Sequence, residues 1–277
     1  MKLDRNIIES IVREALAEDI GTGDITTLST IPDDMTASGN FIAKQDGVIC
    51  GLDVVRSVFA MVDSRTTFTP EVRDGDRVAK GDILASVSGF AVSLLSAERV
   101  ALNFLQHLSG ISTYTAECVE KVAETKAKIV DTRKTTPGLR VFEKYAVKVG
   151  GGRNHRFNLA DGVLIKDNHI RAAGGITAAV NAARVNAPHT LKIEVEVEDE
   201  EMLREALDVK ADIIMLDNMD LRQMEDAVRI VDGKALIEAS GNMDRKDLFQ
   251  VAATGVDFIS IGALTHSVKA MDISLRF

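Results

Sequence analysis

In the run Lys192-Ile193-Glu194-Val195-Glu196-Val197-Glu198, charged and apolar residues alternate, so an extended strand would place its four charged side chains on one face. If helices cover the apolar face, at least Glu194 and Glu196 point inward. A carboxylate there needs a cation, a metal or a ligand hydroxyl as partner. Lys166, one strand-helix unit earlier, is the natural neighbour. A purely structural Lys-Glu network would show the same pattern, so these residues alone leave catalysis open.

A second group lies between Asp131 and Arg171, where nine Lys and Arg residues stand against four Asp and Glu. Arg133 and Lys134 directly follow an apolar strand, and Gly150-Gly151-Gly152 runs into Arg153-Asn154-His155-Arg156. In a chain of net charge −9 this local reversal predicts a polyanionic small molecule in a focused positive field; the alternative is a solvated basic face. Glycines beside cations permit the backbone to approach phosphate closely. Ser240-Gly241 and Gly262 end two later strands, where freed backbone N–H groups and the Ser240 hydroxyl predict a monophosphate site. The five histidines show no HxxxH or HExxH spacing, which argues against zinc. Glu196 and Asp217, carboxylates at strand ends, suit Mg²⁺ shared with phosphate and ribose oxygens. His155 and His266, beside the basic and glycine segments, read as ligand contacts, and His189 as a surface loop residue.

These groups need a repeating scaffold, and the second half of the chain has one. KIVDTRK, GVLIKDN, KIEVEVE, DIIMLDN, ALIEASG and DFISIGA are short apolar strands with polar C-terminal ends, separated mostly by amphipathic helices. Their polar ends are Asp131, Lys166, Glu196, Asp217, Ser240 and Gly262, and the last three steps are 21, 23 and 22 residues. That period suits one strand plus one helix. Parallel βα units close most simply into a barrel, whose active sites lie at the C-terminal ends of the strands.

The first half has another rhythm. Asp4 caps a helix carrying Ile7, Ile8, Ile11, Val12 and Ala15, which ends before Gly21. The acidic, glycine-broken stretch Glu18 to Thr27 reads as a loop suited to phosphate or metal, although it lacks the Lys-Ser/Thr ending of a P-loop. Short β-type runs from Ala37 to Gly89 predict a small antiparallel sheet packed on a helix. Two helices, Val92 to His107 and Ile111 to Glu124, are predicted to break at Ser109-Gly110. This gives an N-terminal α/β domain over residues 1–108 and a barrel domain over 109–267, with the tail 268–277 packing on the first.

Composition removes several classes. At 277 residues, 45% hydrophobic and 27% charged, with four prolines, the chain is globular rather than disordered or fibrous. Lys+Arg 33 against Asp+Glu 42, with no Trp and two Tyr, offers nucleic acid little charge or stacking surface. No run approaches the roughly 18 apolar residues of a membrane span, and the N-terminus lacks signal-peptide features, so a cytoplasmic location is expected. Cys50 and Cys118 form no metal or redox spacing and read as buried small hydrophobes in a reducing compartment.

Asp131-Thr132-Arg133-Lys134-Thr135-Thr136-Pro137-Gly138-Leu139-Arg140, Gly150 to Arg156 and Leu164-Ile165-Lys166-Asp167-Asn168-His169 closely resemble the quinolinate phosphoribosyltransferase family. The resemblance extends back to Glu18 to Asp24 and Ala97-Glu98-Arg99. It continues forward through Glu194 to Val197, Leu216-Asp217-Asn218, Glu238 to Gly241 and Gly262 to Ser267, and so covers essentially the whole chain. It implies an N-terminal open α/β sandwich and a C-terminal incomplete, seven-stranded α/β barrel. Six strands are read directly above, and the seventh is placed around Lys144 to Gly150.

The resemblance also implies Mg²⁺-dependent transfer of phosphoribosyl from 5-phosphoribosyl 1-diphosphate to quinolinate with decarboxylation, a step of NAD biosynthesis. It implies a homodimer with the active site at the subunit interface. Arg99 from the partner, with Arg133, His155, Arg156 and Lys166, would hold quinolinate. Lys134 and His266 would face the diphosphate, Ser240, Gly241 and Gly262 the 5-phosphate, and Glu196 and Asp217 the ribose and Mg²⁺. The nearest rival is a molybdate-transport-associated paralogue that transfers phosphoribosyl to another acceptor. More distant rivals are an aldolase using Lys166 as a Schiff-base lysine and a non-catalytic phosphate-ligand sensor.

Overall fold

A computed structural model describes residues 3–277. In chain order the elements are α1 (Arg5–Ile20), α2 (Ile25–Thr30), β1 (Thr36–Ala43), β2 (Gly47–Val48), α3 (Leu52–Val62), β3 (Thr67–Pro70), β4 (Arg77–Val78), β5 (Ile83–Phe90) and α4 (Ala91–Lys121). Then follow β6 (Lys128–Val130), α5 (Arg140–Val149), β7 (Val163–Ile165), α6 (Asp167–Ala173), α7 (Ile176–Asn186), β8 (Ile193–Val197), α8 (Glu200–Asp208), β9 (Ile213–Asp217) and α9 (Leu221–Val231). The last are β10 (Leu236–Ser240), α10 (Leu248–Ala253), β11 (Phe258–Ser260), α11 (Ala263–His266) and β12 (Ile273–Arg276). The chain divides into two compact units. One gathers the chain up to Ala116 with Thr135–Gly151 and Leu264–Phe277, and the other Glu117–Lys134 with Gly152–Ala263.

In the first unit Asp4 caps α1 as predicted, its side chain accepting from the N–H groups of Asn6 and Ile7. The buried stripe is Ile8, Val12 and Leu16, while Ile7 stays 42% exposed. The Glu18 to Thr27 stretch is not an open ligand loop. α1 continues to Ile20, and Asp24 caps α2 by accepting from the Thr27 N–H and hydroxyl and from the Ser96 hydroxyl. Its carboxylate is thus already occupied by its own chain.

The antiparallel sheet runs β12-β1-β5-β3, with Asn40 to Ala43 of β1 opposite Arg276 to Ile273 of β12. Phe41, Phe59 and Phe68 meet beneath it, Phe41 lying edge-on to the other two rings at 6.0 Å. The predicted helix break at Ser109-Gly110 does not occur, because α4 runs unbroken from Ala91 to Lys121. A Cβ on Gly110 would overlap the Lys269 backbone. That glycine marks a close approach rather than a helix end. Gly150 has the same role against Ser112 and Thr115, which removes it from the phosphate-loop reading.

The second unit holds a six-stranded parallel sheet in the order β6-β11-β10-β9-β8-β7, and its strands are the six runs read from the sequence. Parallel strands covered by helices are buried on both faces, and β8 buries Ile193, Glu194, Val195 and Val197. Two aspartates open strands by a shared device. Asp212 accepts from Ile193 N–H at 2.8 Å and Asp257 from Ile237 N–H at 2.9 Å, each tying the start of a neighbouring strand. The seventh strand predicted around Lys144 to Gly150 is instead helix α5. Phe142, Ala146 and Val147 recur there at helical spacing and are buried. Beyond the six strands, the parallel pairing continues among the described residues as a single bridge between Val130 and Arg153.

Candidate active site

Because the six strands are parallel, their polar C-terminal ends share one edge of the sheet. Asp131 follows β6, Lys166 follows β7, Glu196 is the penultimate residue of β8, Asp217 and Ser240 end β9 and β10, and Gly262 sits between β11 and α11. Asp131 is fully buried and accepts from Asn154 Nδ2 at 2.6 Å and His155 N–H at 2.8 Å. It thereby fastens the segment carrying His155 and Arg156 to the strand that delivers Arg133 and Lys134.

Arg156 donates to the Gly162 carbonyl at 3.2 Å. Burial and the nearby Arg133 guanidinium weaken its hold on its proton, while Glu194 opposes them. Two arginines close enough to repel are suited to a dianion. Lys166 Nζ donates to Glu196 Oε2, with the carboxylate only 11% exposed, so the predicted neighbours do meet. Lys166 N–H also donates to His169 Nδ1 at 3.0 Å, which fixes the start of α6. Lys134 is exposed, and its backbone N–H donates to Thr132 Oγ1.

Deeper in, His155 Nε2 lies 3.0 Å from Glu194 Oε2 and 3.6 Å from Glu238 Oε2. Among the described residues this trio is the one cluster whose ligand-capable atoms, all within 4.8 Å, resemble a metal set. The imidazole argues otherwise, since His155 Nδ1 accepts from Arg156 N–H at 2.7 Å and so carries no proton. The neutral ring must then carry its proton on Nε2, where a metal would need the lone pair. Glu194 and Glu238 are 4% and 3% exposed, and the Oε1 atom of each is buried without a hydrogen-bond partner. Burial first, and then the Glu194 charge, push the Glu238 carboxyl up to about 8, against the pull of His155, Ser260 and Lys166.

At the β9 and β10 ends, Asn218 Nδ2 donates to Asp217 Oδ2 at 2.8 Å, and Asn242 Nδ2 donates to Asn218 Oδ1 at 3.2 Å. Asn218 and Asn242 are left-handed at φ 56° and 52°, and Gly241 has φ 92°. A Cβ on Gly241 would collide with the Asn218 side chain, so glycine is required for the turn itself. Of the sequence-predicted site residues, Arg133, Lys134, His155, Arg156, Lys166, Glu196, Asp217, Ser240, Gly241 and Gly262 belong to the second unit. Arg99, exposed on α4, and His266, which ends α11 and contacts Ser267 Oγ, belong to the first. Two residues were not singled out from sequence. Asp131 was counted only as a strand end, and Glu238 escaped although it lies two residues before Ser240 and hence on the same strand face.

Comparison with known proteins agrees over nearly the full length. The sequence model of the quinolinate phosphoribosyl transferase N-terminal domain matches residues 24–109, and that of the C-terminal domain matches residues 111–276. A probable nicotinate-nucleotide pyrophosphorylase [carboxylating] of Bacillus subtilis is 44% identical over 268 residues, covering 97% of this chain and 92% of the relative. The chloroplastic nicotinate-nucleotide pyrophosphorylase [carboxylating] of Arabidopsis thaliana is 44% identical, covering 97% of this chain and 82% of the relative. Among solved structures, the nicotinate-nucleotide pyrophosphorylase of Francisella tularensis superposes with a TM-score of 0.95 at 43% identity, covering 99% of this chain and 97% of that one.

Proposed function

The chain belongs to the quinolinate phosphoribosyltransferase family, and from that membership we propose that it is a Mg²⁺-dependent enzyme of NAD biosynthesis. It joins quinolinate to 5-phosphoribosyl 1-diphosphate and yields nicotinate mononucleotide, pyrophosphate and CO₂. The observation that carries the reading is the adjacency of Arg133 and Arg156 on the strand edge that also holds the Lys166–Glu196 pair. Paired cations accept a dicarboxylate, and paired carboxylates accept the hydroxyls and positive charge of a ribosyl centre. Arg133, His155, Arg156 and Lys166 form the acceptor side. Lys134 faces the diphosphate, and Ser240, Gly241 and Gly262 hold the 5-phosphate. Arg99 of the partner subunit in a homodimer completes the acceptor side, and His266 the diphosphate side.

The donor set fits Mg²⁺. Glu196 and Asp217 offer hard carboxylate oxygens, and neither belongs to a group of three ligand-capable side chains among the described residues, so water and substrate oxygens would complete the shell. Held there, Mg²⁺ would supply charge neutralisation for the diphosphate. As the C1–O bond to the diphosphate breaks, Glu196 and Asp217 stabilise the oxocarbenium-like ribosyl centre, Lys134 stabilises the departing pyrophosphate, and the ring nitrogen of quinolinate attacks C1. The resulting pyridinium accepts the electron pair left at C2 when CO₂ departs, and C2 then takes up a proton. No covalent enzyme intermediate is needed, and Lys166 acts electrostatically.

The test is incubation with quinolinate, phosphoribosyl diphosphate and Mg²⁺, with nicotinate as control acceptor, following nicotinate mononucleotide and CO₂. Product from quinolinate alone supports the reading. Binding of phosphoribosyl diphosphate without product from either acceptor would move the protein to another acceptor or to a sensor.

A further inference from the structure

Glu194 and Glu238 stand outside the set of groups that hold substrate, yet both are more than nine-tenths buried, on strands β8 and β10, and both reach the same ring nitrogen. Each also keeps an unpartnered Oε1. We propose that Glu194 and Glu238 are positioning residues for acceptor binding. Acting together on His155 Nε2–H, they lock its tautomer and ring plane and so set where the adjoining Arg156 backbone and guanidinium stand.

The geometry supplies each link. The imidazole is held at both nitrogens, with Nδ1 accepting from Arg156 N–H and Nε2 donating to Glu194. Turning the ring would put Cδ2–H where Nδ1 stood and break the first bond, and moving the proton to Nδ1 would leave Arg156 N–H facing a second donor. The same segment is fixed from the other side by Asp131, which accepts from His155 N–H. The ring is thus the joint through which a buried acid pair reaches the loop carrying Arg156.

The pair also divides its labour. Two ionised carboxylates sharing one N–H donor in a buried site would repel strongly, and retaining one proton on Glu238 removes that repulsion. The groups that face Glu238 are Glu194 from β8, His155, Ser260 from β11 and Lys166 beyond β7, and the raised affinity for its proton follows from burial and Glu194. Glu194, at 3.0 Å, is then the nearer acceptor for Nε2–H, and Glu238 a neutral acid whose role an amide can imitate.

The inference rests on His155 and Arg156 belonging to the acceptor side, and the test keeps the two apart. Imidazole nitrogens are observed by ¹⁵N NMR of histidine-labelled protein, with His155→Gln for assignment. Quinolinate and phosphoribosyl diphosphate KM values are measured separately for Glu238→Leu, Glu238→Gln and Glu194→Gln. Expected are an unprotonated Nδ1 and a protonated Nε2 in the wild type, and a quinolinate KM raised about tenfold in Glu238→Leu and Glu194→Gln, with the diphosphate KM little moved. Glu238→Gln should recover most of the loss seen in Glu238→Leu. A protonated Nδ1, a Gln variant as poor as the Leu variant, or equal changes in both KM values would overturn the proposal. If Glu238→Leu does not fold, the two Gln variants and the ring spectrum still decide. If the wild type makes no product from quinolinate, the functional reading falls, while the ring spectrum of wild type and Glu194→Gln continues to test the joint.

Discussion

Glu238 leaves a mark on stability as well as on the site. Unfolded, it ionises near the ordinary value of 4.5; folded, it keeps its proton up to about 8. Between those values the unfolded chain binds fewer protons than the folded one, so this group's contribution to stability falls as pH rises through the window and is level on either side. Glu238→Gln should therefore narrow the difference in Tm between about pH 5 and about pH 8, measured by thermal unfolding. An unchanged difference would mean that the folded protein ionises Glu238 early. Sequence made part of this neighbourhood legible: alternation in β8 placed Glu194 and Glu196 inside, and the register of β7 against β8 brings Lys166 to Glu196. It missed Glu238 because the lone acid in ALIEASG shows no alternation of charge. It also grouped His155 with His266, although one is locked in a buried network and the other is exposed, since chain neighbours do not report burial.

Turns at the strand ends carry the site, and the one after β10 is the least tolerant. Gly241→Ala would place a methyl group against Asn218 at a backbone angle of φ 92° that alanine rarely adopts. It should cost about 1–3 kcal/mol of stability and weaken binding of phosphoribosyl diphosphate more than that of quinolinate. Calorimetric titration of the two ligands separately checks this, and equal losses would detach the turn from the phosphate. The six parallel strands were readable because each couples an apolar run to a polar end. The seventh strand expected around Lys144 to Gly150 is helix α5 instead, and the isolated bridge of Val130 with Arg153 is too short to leave a pattern. The break expected at Gly110 and the loop expected at Glu18 to Thr27 failed for a common reason. Local glycine and acidic signals were overridden, by the Lys269 backbone in one case and by the capping of α2 in the other.

The fold class, with its antiparallel and parallel sheets, was legible from the change of rhythm along the chain, but the interleaving of segments between the two units was not. That depends on contacts between residues more than a hundred positions apart, such as Asn40 with Arg276. No described helix is long and apolar enough to cross a membrane. On the proposed homodimer, Arg99→Ala and Arg133→Ala should each lack activity alone. Mixed after reversible dissociation, they should recover up to about a quarter of wild-type activity, because half the dimers carry one site with both arginines. No recovery would place Arg99 in its own subunit's site or outside it. The pairing of β1 with β12 also bears on how the molecule is made. Residues 36–43 leave the ribosome more than two hundred residues before their partner at 273–276, so one edge of the first sheet must wait through synthesis of the whole parallel sheet. The nascent chain thus carries an unpaired strand edge until residues 273–276 emerge, the interval in which a chaperone has most to protect and a protease most to cut.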